Sequence, residues 1–211
     1  MTGRIVIDLF TTLDGVSQAP GGPEEDPSGG FAYGGWQAPL LDESMGEQVI
    51  AGIRSMDALL LGRKTYDIFA SYWPQHVDGA DGEIGRKFDS IPKYVASRGA
   101  PSLPWRDSHL LGPSLAEQIA VLRERHDSVH VIGSIDFSRS LVREGLFDVL
   151  NLWVYPIVLG QGKRLFPDDG PALGLTLLEP PLVGERGSLL LRYGPGPAVA
   201  TGDMSADDRG V

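Results

Sequence analysis

Apolar residues along this chain recur with two different periods. Ile5-Val6-Ile7-Asp8-Leu9-Phe10 is short, β-branched and almost wholly apolar, which predicts a strand covered on both faces, as in a parallel sheet flanked by helices. A polar, glycine-rich stretch follows, holding Gly21-Gly22-Pro23 and Ser28-Gly29-Gly30; a loop of that length predicts a lid, a binding loop or disorder. Leu41, Met45, Val49 and Ile53 then recur every four residues and predict an amphipathic helix.

The same alternation continues. Ala58-Leu59-Leu60-Leu61 reads as a buried strand, Gly62-Arg63-Lys64-Thr65 as a turn, and Tyr66, Phe69 and Trp73 as one face of a helix stopped by Pro74. Lys93–Ala96 and His109–Leu111 predict two more strands. Ser114-Leu115-Ala116-Glu117 has the form of a capping box opening a helix that carries Leu115, Ile119 and Leu122. Val129–Ile132 is a strand, Gly133-Ser134 a turn, and Phe137–Glu144 a helix with Gly145 as its C-cap. Asp148–Tyr155 reads as a longer strand, and Leu173–Leu178 with Ser188–Tyr193 as an antiparallel pair. The expected architecture is therefore α/β: one domain over residues 1–194, a mostly parallel sheet with helices on both faces, and a flexible tail over 195–211.

Composition narrows the function. Basic residues number 18 against 28 acidic, a formal net charge of −10, which argues against nucleic acid or an anionic membrane as partner. The chain has no cysteine, and its four histidines form no ligand-spaced cluster with carboxylates, so no metal site is expected. No apolar run approaches the roughly 18 residues a membrane span needs, and no signal peptide precedes the first strand, so a cytoplasmic protein is expected.

Two turns share one arrangement of strand, small residue and helix start: Leu61-Gly62-Arg63-Lys64-Thr65 and Ile132-Gly133-Ser134-Ile135-Asp136. A helix N-terminus presents unpaired N–H groups and about half a positive charge, and glycine lets an anion approach the backbone. Arg63 and Ser97-Arg98 follow separate strand ends and offer guanidinium and hydroxyl groups to a phosphate monoester. The alternative is that these glycines only permit tight turns and that the arginines are solvated. GxxxxGK[ST], GxGxxG and GxSxG are all absent, which sets aside a P-loop, the usual dinucleotide fingerprint and a nucleophile elbow.

At these residues the chain resembles the dihydrofolate reductase-like family, in particular the reductase domain of bifunctional riboflavin-biosynthesis deaminase-reductases. The matching features, in order, are Thr12-Leu13-Asp14-Gly15, Gly62–Tyr66 with Tyr72-Trp73-Pro74, Ser97-Arg98, Gly133-Ser134, Gly145–Asp148 and Pro156–Phe166. They run through nearly the whole chain from Ile5 to Tyr193. The resemblance implies a three-layer dihydrofolate reductase-like fold, NADP as cofactor and, commonly, a homodimer. It implies that Arg63, Thr65, Ser97 and Arg98, with Lys64 beside them, hold the adenosine-side phosphates. Gly62, Gly133, Ser134 and Ile135 would receive the pyrophosphate, with Leu13, Asp14 and Gly15 by the nicotinamide. The family commonly has threonine after the serine–arginine pair, where Gly99 stands here, and often glutamate where Val149 follows Asp148. The histidine–glutamate and paired-cysteine motifs of the deaminase half do not occur.

The activity this implies is NADPH-dependent hydride transfer to a small substrate, pterin- or pyrimidine-like. Asp14 is the candidate proton relay, although aspartate is also a favoured turn residue. Trp36 and Asp42 are the substrate-side candidates, Trp36 because it sits in the loop region and Asp42 because it opens the first helix. A competing class is a non-catalytic NADP-binding or regulatory module, which would bind cofactor without oxidising it.

Overall fold

The computed structural model describes residues 2–203. Its strands and helices follow in the order β1 (Arg4–Thr12), α1 (Glu43–Ser55), β2 (Ala58–Gly62), α2 (Arg63–Tyr72), α3 (Gly82–Ser90), β3 (Lys93–Ala96), β4 (Ser108–Leu110), α4 (Leu115–Arg125), β5 (Ser128–Val131), α5 (Ile135–Arg143), β6 (Val149–Tyr155), β7 (Leu175–Leu177), β8 (Leu182–Val183) and β9 (Leu189–Pro195). One sheet runs β4-β3-β2-β5-β1-β6-β9-β7, with β8 also paired to β9. The strands from β4 to β6 are mutually parallel, and β9 pairs antiparallel with β6, β7 and β8. This is the expected α/β architecture with its C-terminal antiparallel strands.

Side-chain alternation explains the layers. Ile5, Ile7 and Leu9 of β1, with Val129 and Val131 of β5, point to one face and meet Ile119 and Leu122 of α4 and Phe137 and Leu141 of α5. Leu59 and Leu61 of β2 and Val95 of β3 point to the other, against Ile53 of α1, Tyr66 of α2 and Phe88 of α3. Leu59, Leu60 and Leu61 are wholly buried, each stabilising the fold by about 1.5–3 kcal/mol.

Four local expectations change. Helix α3 was hidden by Gly82 and Gly85; a Cβ on Gly85 would lie 2.0 Å from the His76 carbonyl oxygen, so close packing requires glycine there. Leu41 is exposed and precedes α1, which Asp42 caps by accepting a hydrogen bond from Met45 N. The capping box at α4 does not form: Ser114 occupies the N-cap position without a side-chain bond. Strand β9 continues to Pro195, and Gly196 N still donates to Gly174 O, so the ordered pairing runs past Gly194. Residues 204–211 of the expected tail lie outside the described residues, and among those described no helix is long and apolar enough to cross a membrane.

Candidate active site

Helices α2 and α5 start at the C-terminal ends of strands β2 and β5, which are adjacent in the sheet. Their N-caps are Gly62 and Ser134, and neither start carries a side-chain cap. The N–H groups of both first turns are therefore free for an anion, in the sheet position where α/β folds gather ligands. The packing leaves no room for larger residues. A Cβ on Gly133, whose φ is 115°, would come within 2.8 Å of Thr65 Oγ1, and Gly62 N donates to Gly133 O at 3.0 Å. Gly62 also pairs in register with Ala96, so Arg63 and Ser97-Arg98 leave neighbouring strand ends.

This double turn opens onto a cavity of about 720 Å³. Lys64, Thr65, Gly133, Ser134 and Ile135 belong to its wall, as do apolar side chains from α1, α2 and α3, among them Val49, Ile53, Phe69 and Phe88. The glycine-rich loop covers it with Ser17–Gly21 and Glu25–Ser28. That loop is clasped by Lys163, whose Nζ donates to Asp26 Oδ2 at 2.5 Å and to Ser28 Oγ at 2.8 Å. Burial would raise the Asp26 carboxyl, but the Lys163 and Ser28 hydrogen bonds and the lysine charge outweigh it and hold it below its ordinary value. Glu25 shifts the other way: burial raises it, against hydrogen bonds from Gly21 N and Gly22 N.

The cavity floor is polar and was not foreseen. Asp8, His130 and Asn151 come from three adjacent strands, β1, β5 and β6, and all line it. His130 Nδ1 lies 2.6 Å from Asp8 Oδ2, and Asn151 Nδ2 donates to Asp8 Oδ1 at 2.8 Å. A signal was present in the sequence, since each is a polar residue between two apolar neighbours in its strand: Ile-Asp-Leu, Val-His-Val, Leu-Asn-Leu. Alternation puts them opposite the face of Ile7, Val129 and Leu150.

The structure assigns several expected residues elsewhere. Thr12 donates its hydroxyl to Asp14 Oδ1 at 2.6 Å, and Leu159 N and Gly160 N donate to the same carboxylate. Burial would raise Asp14, yet these bonds bring it down to about 2. Asp14 thus ties the Leu13–Gly15 turn, with Gly15 at φ 80°, to the 156–166 segment, and none of the three residues reaches the cavity wall. Leu13 is exposed.

Trp36 is buried, donates from Nε1 to Gln18 O, and packs edge-on against Tyr155; Trp153 takes the place on the wall. Asp42 caps α1, accepts from Arg186 N and Ser188 Oγ, and is not on the cavity wall. Arg63 pairs with Asp67 at 2.7 Å and, with Ser97 and the exposed Arg98, stands outside the cavity beside the turn.

The fold has counterparts among known proteins. A putative riboflavin biosynthesis protein from Shewanella sp. PV-4 superposes with a TM-score of 0.64 at 20% identity, over 92% of this chain and 99% of that one. Dihydrofolate reductase from Enterococcus faecalis, complexed with NADP(H), superposes at 0.56 and 13% identity, over 93% and 99%. At these identities the likeness concerns the fold. The uncharacterized protein YyaP of Bacillus subtilis strain 168 is 26% identical over 177 residues, 83% of this chain and 86% of its own. The family model described as the RibD C-terminal domain matches residues 4–186. Matched by that model over most of its length, the chain belongs to the RibD C-terminal domain family, a family of reductase fold.

Proposed function

We propose that this protein is an NADPH-dependent reductase of a small, planar, pterin- or pyrimidine-like substrate. The observation that carries the reading is the convergence of two helix N-termini without side-chain caps onto the same cavity that holds a buried polar floor. A dinucleotide needs the first and a reacting ring needs the second. The cofactor supplies the hydride. Gly133, Ser134 and Ile135 would bind its pyrophosphate through backbone N–H groups, with Gly62 and Thr65 shaping the approach. Arg63, Lys64, Ser97 and Arg98 would hold the 2′-phosphate, Arg63 exchanging its Asp67 partner for the phosphate. The apolar walls would exclude water and orient the ring.

Calorimetric titration with NADPH and then NADH, on wild type and Arg63→Ala, tests this. Tight NADPH binding, weaker NADH binding and loss of the preference in the variant are expected; binding of neither nucleotide overturns it. Cofactor binding without oxidation across a broad carbonyl and imine panel would point to a non-catalytic module. The same reading takes the protein to act as a cytoplasmic homodimer. The exposed apolar side chains Leu177, Leu178, Leu182 and Val183 at the antiparallel end of the sheet support an interface there, which sedimentation equilibrium would check.

A further inference from the structure

We propose that Asp8, backed by His130 and Asn151, is the acid that protonates the substrate as hydride arrives. This rests on the reductase reading, but its residues lie outside the phosphate cradle.

The geometry gives each residue a different part. Both residues line the cavity, but the Asp8 side chain is 16% exposed and that of His130 only 5%. His130 is held at both ends, by Asp8 Oδ2 at 2.6 Å on Nδ1 and by Ser128 Oγ at 3.1 Å on Nε2. Ser128 is half-buried, so the file Asp8–His130–Ser128 runs from the cavity floor toward solvent. Asn151 fixes the other carboxylate oxygen. Asp8 touches the ligand; His130 and Asn151 position it.

A second observation points to a ligand's polar edge at this spot. Asn151 Oδ1, Trp153 Nε1 and Ser17 Oγ are buried without hydrogen-bond partners, and all three residues line the same cavity. Each such group costs about 1–3 kcal/mol when left unpaired. An acceptor, a hydroxyl that can donate or accept, and a donor, all on the wall that holds Asp8, complement a heterocycle edge. An ion pair serving only to hold the sheet together would not need them. The other charged wall residues, Glu25 and Asp26 in the loop, Lys64 and Asp67 on α2, Asp136 on α5, Lys163, and Arg192 on β9, make no hydrogen bond to Asp8 or His130.

The step balances as follows. Bound NADPH would supply the hydride for a C–H bond at the electrophilic carbon of a C=N or C=O group, and the π pair would move to the heteroatom. That atom takes the proton of the Asp8 carboxyl. The Nδ1 proton of His130 passes to Asp8 as Nε2 takes one from water through Ser128, and exchange with water returns the imidazole to its Nδ1–H form before the next turnover. One substrate bond is reduced, one nicotinamide is oxidised, and one proton is drawn from solvent.

The test uses 4-aminoquinazoline, a neutral planar base whose near-ultraviolet spectrum changes on ring protonation, added to the full chain at about pH 8, where free carboxylic acids are ionised. The protein is titrated with and without NADP+, and NADPH affinity is measured in parallel by calorimetry. The expected result is saturable binding to wild type with the spectrum of the protonated ring. Asp8→Asn should bind about 20-fold more weakly with the neutral spectrum, the scale of one lost charge-assisted hydrogen bond. His130→Gln should fall between the two, and NADPH affinity should be unchanged in both variants. A neutral bound ring in wild type, no saturable binding, or an unchanged spectrum in Asp8→Asn overturns the assignment of Asp8 while NADPH binding leaves the reductase reading standing. Absence of NADPH binding overturns both. The wild-type spectrum needs no variant, so the test survives a variant that fails to fold.

Discussion

Ser134 occupies the space above Gly62. A Cβ on Gly62 would lie 2.3 Å from Ser134 Oγ, 2.8 Å from Ser134 N and 3.1 Å from Phe137 Cβ. Gly62 has ordinary extended dihedrals, so its requirement is purely one of space. The two helix starts can sit side by side because the first offers no side chain to the second. Gly62→Ala should therefore push α5 off β2, destabilising the protein by about 1–3 kcal/mol as an overpacked site does. NADPH affinity should fall by more than stability alone explains, about 10-fold or more, because the N–H groups proposed to hold the phosphates are displaced. Denaturant melts and calorimetry on the same variant separate the two effects.

Asp14 should behave as a structural anchor. Its carboxylate accepts from Thr12, Leu159 and Gly160 and is brought down to about 2 from an ordinary 3.8. A carboxyl depressed in the folded state adds stability that is complete above its unfolded value and is lost as pH falls through the folded value. Asp14→Asn should thus cost about 1–3 kcal/mol at neutral pH. The gap between wild type and variant should close between about pH 4 and pH 2, the window set by the two values. NADPH affinity should change less than about 3-fold, since Asp14 is off the cavity wall and its loss is a matter of turn geometry. Urea melts across that pH range check the sign. A catalytic Asp14 would instead abolish turnover while leaving the melt unchanged.

Tryptophan fluorescence distinguishes two similar residues. Trp153 lines the cavity with an unpartnered Nε1, whereas Trp36 already donates to Gln18 O behind the wall. A ligand-induced emission change should survive Trp36→Phe and be largely lost in Trp153→Phe. The opposite pattern would mean that the loop carrying Trp36 rearranges on binding.

The strands and the glycine turns at the two helix starts were legible because they follow from short-range rules. Apolar runs marked β1, β2, β5 and β6, and Gly62 and Gly133 marked the helix starts by the only residue that fits there. The polar floor was not legible as a site because it depends on strand order. Asp8 and Asn151 are direct register partners 143 residues apart, and His130 joins them only because β5 lies beside β1. Where Asp14 and Trp36 lie was hidden for a related reason. Their residue types suit a pocket, but the partners that use them up, Gly160 and Gln18 O among them, are chosen by packing.

Glycines inside helices provide the sharpest contrast between propensity and packing. In an exposed helix, alanine in place of glycine stabilises by about 1 kcal/mol, because glycine has the greater backbone entropy to lose. Gly46 in α1 has no atom within 4 Å of a built Cβ, so Gly46→Ala should stabilise by about 0.5–1 kcal/mol. Gly85 in α3 meets the opposite condition. Its Cβ would fall 2.0 Å from the His76 carbonyl oxygen and 2.7 Å from the carbonyl carbon, and backbone cannot yield as a flexible side chain does. Gly85→Ala should destabilise by about 3 kcal/mol despite its better helix propensity. Phe88, one turn further along α3, packs on Phe69 and also lines the cavity. A shifted α3 should therefore weaken ligand binding as well as stability, while Gly46→Ala leaves binding unchanged. Paired thermal melts and ligand titrations on the two variants decide it; equal and same-signed effects would show that close packing at Gly85 does not set the position of α3.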